Sequence, residues 1–367
     1  MAQDKRLLSL DVMRGITIAG MILVNNPGAW GAVFAPLRHA QWNGLTPTDL
    51  VFPFFMFIMG VSMCLSFRKY NFKLSAVSVT KIVKRTVLIF LVGLAINLVS
   101  HICYNGFTNF QEVRILGVMQ RLALAYGTGS LVGLAINQKY LLHVAGGILL
   151  FYWALLGLTN SMDLSESNLI AVIDRAVFGS SRMYHDYLAD GTRIAFDPEG
   201  LLSCLGSTAH VLLGYYAGKV ILDCKKNNEL IIRKLFIFGT IILFAGLLFS
   251  YGCPINKKLW SSTFVLTACG FASLFLALLI WIIDINGKRR WSLFFESFGI
   301  NPLYLYVQAD VLAIALGLFG VQAYVCTNLF TPLFGDYGGS LAWAICFVLL
   351  NWIPGYWLYK KKIYIKL

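Results

Sequence analysis

Charge is scarce in this chain. Asp, Glu, Lys and Arg supply only 13% of its 367 residues, about half the share of an average soluble domain. Apolar residues supply 58%, and the mean hydropathy is +0.71. A soluble globular domain is excluded; the composition describes a polytopic membrane protein. Cysteine pairs are missing as well. Cys64, Cys103, Cys204, Cys224, Cys253, Cys269, Cys326 and Cys346 lie scattered, with no Cys-x-x-Cys spacing. A thiolate metal cluster and a disulfide framework therefore both lack their signature, and no metal site is expected. Most of these thiols sit in apolar runs, where cysteine acts as a small buried hydrophobe. Cys103, Cys253 and Cys326 fall near one membrane face, where one weakly supported pairing remains open.

Processing signals are also absent. MAQDKR leads into a run that keeps Asp11 and Arg14 and has no A-x-A site, so no cleavable signal peptide is expected. There is no N-x-S/T sequon, which favours a bacterial inner membrane over a secretory compartment. The net charge of +13 invites a nucleic-acid reading. The basic residues instead fill short breaks between apolar runs, with no basic stripe, finger or stacking platform, and nucleic acid is excluded as a partner.

What is present is a series of ten apolar stretches, at about 7–26, 49–67, 86–103, 114–135, 140–158, 201–222, 235–252, 261–283, 292–318 and 339–359. Each is long enough for a spanning helix, and helices satisfy their own backbone groups in lipid. The expected fold is an all-α integral membrane protein of about ten transmembrane helices, a single domain over 1–367. Alternate breaks (1–6, 68–85, 136–139, 219–234, 286–290 and 360–367) hold 21 of the 30 Lys and Arg residues. That asymmetry predicts both termini in the cytoplasm. The longest break on the other face, 159–200, exceeds the roughly 15 residues of ordinary loops and is expected to cap that face.

The stretch with the most chemistry is Arg38–Gly60, RHAQWNGLTPTDLVFPFFMFIMG. It sets His39, Trp42, Asn43 and Asp49 just ahead of 18 uncharged residues, Leu50–Phe67. A titratable group at that depth is a functional-site candidate. Histidine titrates near pH 6.5 and can act as base, acid or nucleophile. The plain alternative is a loop histidine bonded to backbone. Asp49 opens a helix, where it can cap the helix or orient the imidazole. Asn25 and Asn26 end the first run on the same face, as oxyanion donors or as a helix stop before Pro27. Trp42 suits an interfacial anchor or a wall against a sugar ring.

Other polar residues interrupt the runs. Asp11 and Arg14 share one helical face and read as a buried ion pair between helices. Arg114 and Arg121, seven apart beside Gln120, need an anionic partner: Asp11, Glu296, Asp310 or a ligand phosphate. Lys257 and Lys258 in PINKKLW run against the positive-inside trend. Asn301 before Pro302 predicts a kinked polar helix. His101, His143 and His210 read as satisfied or interfacial histidines, while His185 with Asp186 is a weaker acid–base candidate.

These strings resemble a known family. HAQWNGLTPTDLVFPFFMFIMGVS and RLLSLDVMRGITIAGMILVN are similar to segments of the transmembrane heparan-α-glucosaminide N-acetyltransferases and their bacterial relatives. RILGVMQRLALAY, IDRAVFG, FDPEGLLSCLGSTAHVLLGYYAGK, PINKKLWSSTFVLTACGFAS and FGINPLYLYV follow in the family's order. The resemblance implies acetyl transfer from cytoplasmic acetyl-CoA, as co-substrate, to an amino sugar or glycan acceptor across the membrane. It places His39 on the family's active-site histidine, with Asp49 and Asn25 as its catalytic company. Arg121, Gln120, Lys257 and Lys258 are then expected to bind the donor, and Trp42, Asn43, Asp197 and Glu199 the acceptor. It implies membrane lipid as surroundings and suggests a homodimer. The alternatives are a polytopic transporter of a sugar or anionic solute, and an O-acyltransferase acting on a surface glycan.

Overall fold

The computed structural model describes residues 7–188, 190–225 and 227–365. The chain is helical almost throughout. α1 (Leu8–Asn25), α2 (Pro47–Phe67), α3 (Ala76–Asn105), α4 (Val118–Ala135) and α5 (Leu141–Leu158) form the first half. A connecting segment follows, with α6 (Leu169–Phe178) and the antiparallel strands β1 (His185–Tyr187) and β2 (Arg193–Ala195). α7 (Cys204–Asp223), α8 (Asn228–Phe249) and α9 (Ser262–Leu279) come next, α9 continuing as a wider π-helical turn to Ile285. α10 (Ser292–Ile300), α11 (Pro302–Leu318), α12 (Val321–Val325) and α13 (Thr331–Lys360) complete the bundle.

Local sequence sets several helix starts. Thr46 and Ser75 form capping boxes at α2 and α3, and Asn227 and Ser261 cap α8 and α9. α1 has no cap of its own. The Asp284 carboxylate, 276 residues away, accepts the N–H groups of Leu8 and Ser9, each at 3.3 Å, so a long-range anion satisfies the helix end.

Small residues let the central helices touch. A Cβ added to Gly60 in α2 would lie 2.2 Å from Val211 O in α7, and one on Gly214 would lie 2.2 Å from Phe57 O. α1 and α10 cross in the same way, with Gly15 against Phe295 and Gly299 against Asp11. Without a hydrophobic drive between helices in lipid, such close approach supplies the cohesion. Arg14 adds polar glue, reaching Asp11 (3.1 Å), Gly299 O (3.2 Å) and Ser62 Oγ (2.7 Å). The ion pair expected within α1 is thus present and tied to α2 and α10.

Each of the ten apolar stretches carries a helix, but not all as read. Among the described residues, seven helices are long and apolar enough to cross a membrane, or eight if α10 and α11, bent by 89°, form one span. The kink expected at Asn301–Pro302 is therefore a near right-angle turn. Asn301 spends its amide on the chain end, donating to Ile363 O and accepting from Ile365 N. α4 and α7 fall outside the seven because small and polar residues dilute them. They are also among the most buried elements, with 12 of 18 and 15 of 20 residues inside. α3, α5, α8 and α13 are the least buried of the long apolar helices. The fourth stretch begins late, since Arg114–Gly117 is extended and α4 starts only at Val118. All eight cysteines are free thiols, so the pairing among Cys103, Cys253 and Cys326 is not formed.

Candidate active site

The segment between α1 and α2 and the turn between α8 and α9 meet at one end of the bundle. Gly44 N donates to Ile255 O at 2.8 Å, and the Asn256 amide donates to Asn43 Oδ1 at 3.1 Å. The 254–261 turn is rigid for local reasons. Asn256 Oδ1 accepts from Leu259 N, Asn256 N donates to Ser261 Oγ, and Trp260 N closes on Lys257 O. Trp260 sits at φ +52°, rare for a bulky residue. Its buried ring holds that conformation by packing on Phe52, Phe264 and His210.

His39 and Asp49 are brought together, as expected. His39 Nδ1 lies 2.7 Å from Asp49 Oδ1. A carboxylate only accepts, so the proton in that bond belongs to Nδ1, and in the neutral ring Nε2 carries the lone pair. Nε2 makes no hydrogen bond among the described residues, and the His39 side chain is 45% exposed. Asp49 is 1% exposed. Its other oxygen takes Ala40 N (3.0 Å), Thr46 N (3.1 Å) and the Thr46 hydroxyl (2.9 Å). Asp49 thus caps α2 and orients the imidazole at once. Lys257 completes the group, its Nζ 3.4 Å from Asp49 Oδ1 and 3.1 Å from His39 Nδ1.

The 159–200 segment, the expected cap, builds a small core of its own from Ile170, Ala171, Ile194 and Phe196 with Tyr152, Leu156 and Leu259. Trp42 is tied into it, donating from Nε1 to Met162 O (3.0 Å) and meeting Phe196 edge-on. Lys258 pairs with Asp186 and lies 5.9 Å from the Trp42 ring centroid. Both lysines of PINKKLW, expected at the donor, pair with carboxylates here, Lys257 with Asp49 and Lys258 with Asp186.

Two acidic residues were expected to meet an acceptor amine, and one of them is spent. Asp197 is fully buried. It accepts Arg114 Nε (2.9 Å) and Tyr184 N (3.1 Å) on Oδ2, and Arg114 Nη2 (2.7 Å) and Glu199 N (3.0 Å) on Oδ1. Four donors leave no oxygen lone pair facing a ligand. Arg114 outweighs the cost of burial and holds this carboxyl below the usual range, while Asp197 and Glu199 raise the guanidinium above its own. Glu199 also accepts from Arg114, at 2.6 Å, but its field reaches Lys257. Arg114 thus finds its anions in the capping segment, and not in Asp11, Glu296 or Asp310. Arg114→Ala is expected to cost about 3 kcal/mol or more by leaving Asp197 charged and unpaired. Thermal unfolding of the purified variant checks this.

Arg121 has no carboxylate partner among the described residues. It is 1% exposed, stacks 4.7 Å over Trp260, and donates to Pro198 O (2.5 Å) and Ser203 Oγ. Its Nε and the neighbouring Gln120 Nε2 are buried donors with no partner among the described residues. Sequence reasoning named these two but missed Asn256, Ser203 and Asp174. Asp174 lies under the FDPEG turn, accepts Leu201 N at 2.9 Å, and is pushed up to about 7 by burial. Asn25 ends α1 in an exposed position, and no hydrogen bond joins it to His39 among the described residues; Asn26 donates back to Ile22 O. His101 is satisfied at both nitrogens, by Thr108 O and the Asn105 amide, as expected.

Beside Arg38 opens a cavity of about 380 Å³, lined by residues of the 28–32 segment and by Thr331, Asp336, Tyr337 and Ser340. Arg38 reaches Tyr337 from the His39 side, at 3.4 Å.

Three comparisons bear on this arrangement. A family model described as heparan-alpha-glucosaminide N-acetyltransferase, catalytic, matches residues 6–181, which include His39, Asp49 and Arg121. The human protein named heparan-alpha-glucosaminide N-acetyltransferase is 29% identical over 364 residues, covering 84% of this chain and 53% of its own length. The mouse protein of that name is 28% identical over 363 residues, covering 84% and 54%. The chain spans about half the length of the curated relatives it matches.

Proposed function

We propose, for a chain related to the heparan-α-glucosaminide N-acetyltransferase family over most of its length, that it acetylates the amine of a glucosamine-type sugar. The donor in this reading is acetyl-CoA. The observation that carries it is the His39–Asp49 pair, an imidazole with Nδ1–H fixed on a buried carboxylate and Nε2 open. That ring is set up to receive at Nε2 either the proton of the attacking amine or the acetyl group itself. In both routes the thioester C–S bond breaks, an amide C–N bond forms, and CoA ends as its thiol. In the direct route the amine's proton passes through Nε2 to the leaving sulfur; in the other, Nε2 carries the acetyl group, CoA leaves as the thiolate, and the amine's proton goes to that thiolate through solvent when the amide forms. In both, Asp49 stabilises the cationic ring.

Gln120 and Arg121 are the proposed donor contacts. Each carries a buried N–H without a partner, and such donors are costly unless a ligand accepts from them. The amide carbonyls of a pantetheine arm are acceptors of that kind. Lys257 and Lys258 have no part in holding phosphates in this reading. On the acceptor side, Trp42, Asn43 and Glu199 are the proposed contacts, and Glu199 supplies the negative field for a protonated amine. Asn25 is kept as an oxyanion donor from the end of α1.

The membrane arrangement that serves this chemistry has ten spans, counting α4 and α7 as polar inner spans and α10–α11 as one. Both termini lie in the cytoplasm of a bacterium, where CoA is, and His39 faces the periplasm. The 21 basic residues in alternate breaks support this orientation.

The test is direct. Purified full-length protein is mixed with radiolabelled acetyl-CoA and glucosamine, and the sugar product and free CoA thiol are counted. Equal accumulation of N-acetylglucosamine and thiol is expected. Transfer to no amine, with acetyl-CoA bound, would remove the N-acetyltransferase reading; transfer to a hydroxyl would replace it with O-acylation.

A further inference from the structure

A histidine paired only with a carboxylate has a built-in difficulty. The carboxylate favours the imidazolium, and an imidazolium has no lone pair with which to take a proton or an acetyl group. The cluster around His39 contains the remedy. Lys257 Nζ lies 3.4 Å from the same Asp49 oxygen that accepts from Nδ1, and 3.1 Å from Nδ1 itself. With Nδ1 protonated, that second distance is an approach of two donors and not a hydrogen bond. The ammonium therefore shares the carboxylate with the ring while repelling a second positive charge on it.

We propose that Lys257 is a positioning residue for His39, its ammonium bridging to Asp49 so that the imidazole stays neutral with Nε2 open. The proposal rests on the acetyl-transfer reading for its chemistry.

The lysine is placed for this by more than its own side chain. The turn that carries it is locked by the Asn256 and Ser261 hydrogen bonds and docked on Asn43 and Gly44 of the His39 segment. Its Nζ is thereby indexed to the ring by backbone. The charged groups around the pair are few. Asp49 faces His39 from α2, and Lys257 faces it from the turn. Glu199, from the capping segment, and Arg121, from α4, act on Lys257 with opposite signs. Arg38 turns away, to Val33 O and Tyr337. Burial pulls the Lys257 ammonium below its ordinary value, and Asp49 and then Glu199 push it back. Lys258 cannot substitute, since it is held by Asp186.

Lys257→Met removes the charge and keeps the length, and Lys257→Arg keeps the charge. The sign follows from Coulomb's law. Without the ammonium, Asp49 stabilises the imidazolium unopposed, so the ring gains its second proton at higher pH. In Lys257→Met the acid limb of the pH–rate profile is expected to move up by about one pH unit, and in Lys257→Arg to stay near wild type. The same shift is expected without any turnover, in the titration of the His39 ring nitrogens by NMR on full-length labelled protein. His39→Gln assigns that signal among the five histidines. An unmoved ring titration in Lys257→Met, with the variant folded, overturns the proposal. So does an equal loss of rate at every pH, the mark of a merely structural lysine. If the wild type transfers no acetyl group but its ring titration still shifts in Lys257→Met, the acceptor or donor is wrong and the lysine's role stands.

Discussion

His39→Ala is expected to lower the rate of acetyl transfer by about 10²- to 10⁴-fold, the usual contribution of a positioned acid–base group. Two of the other histidines are already engaged. His101 is bonded at both nitrogens, and His210 is buried in the bundle with Nε2 on Pro53 O. Asp49, the nearest other titratable group, has both oxygens occupied by donors and has no path to a substrate proton. The loss should fall on turnover and not on the donor's affinity. Gln120 and Arg121 lie in α4, and Arg121 makes its contacts with Pro198, Ser203 and Trp260, none of which involves the imidazole. Folding should be little changed too, because the ring is nearly half exposed and carries no core. Rate, acetyl-CoA binding by calorimetry and thermal unfolding, measured on one preparation, check the three statements together. A rate within a few-fold of wild type would take His39 out of the chemistry.

That residue was legible in the sequence because its signal is local. Thr46-Pro47-Thr48-Asp49 has the form of a helix start, an apolar run follows it, and a histidine lies ten residues before the carboxylate. The pair forms across a short connection whose ends are both fixed. Arg114 shows the opposite case. Its partners Asp197 and Glu199 lie 83 and 85 residues away in a segment with no strong periodicity. The apolar run around Arg114 argued for a helix beginning there, and nothing local reveals that an ion pair in the capping segment draws the residue out of it. Lys257 falls between these. Its charge on the wrong side of the positive-inside pattern marked it as unusual, yet its role depends on a tight turn docking on a loop more than 200 residues earlier. The bend after Asn301 was visible from Pro302, but its size was not, since tertiary contacts to α1 and the chain end set the 89°. Local chemistry was readable; the assignment of anions to cations was not.

Asp49→Asn is expected to reduce acetyl transfer by up to about 10⁴-fold, the loss seen when a histidine's orienting carboxylate becomes an amide. The reason lies in the four donors around the carboxylate and the fifth from lysine. Oδ2 receives the N–H groups of Ala40 and Thr46, which are backbone and cannot turn away. Oδ1 receives the ring N–H and the Lys257 ammonium. An asparagine has one accepting oxygen and one donating nitrogen, so it can serve only one of these sets. With its oxygen toward His39, its NH₂ meets two backbone N–H groups, the helix loses the residue 49 half of its capping box, and the turn that presents the histidine is loosened. With its oxygen toward the backbone, its NH₂ meets Nδ1, which must then accept. The ring changes tautomer, and the proton moves to Nε2, the nitrogen that has to be bare. Lys257 loses its counter-charge in either orientation. The two outcomes separate by measurement. The first lowers thermal stability by about 1 kcal/mol, and the second leaves stability closer to wild type while the ring nitrogen shifts in NMR exchange places. An Asp49→Asn protein with wild-type turnover would show that the imidazole works without a fixed tautomer, and the acid–base role of the pair would fall with it.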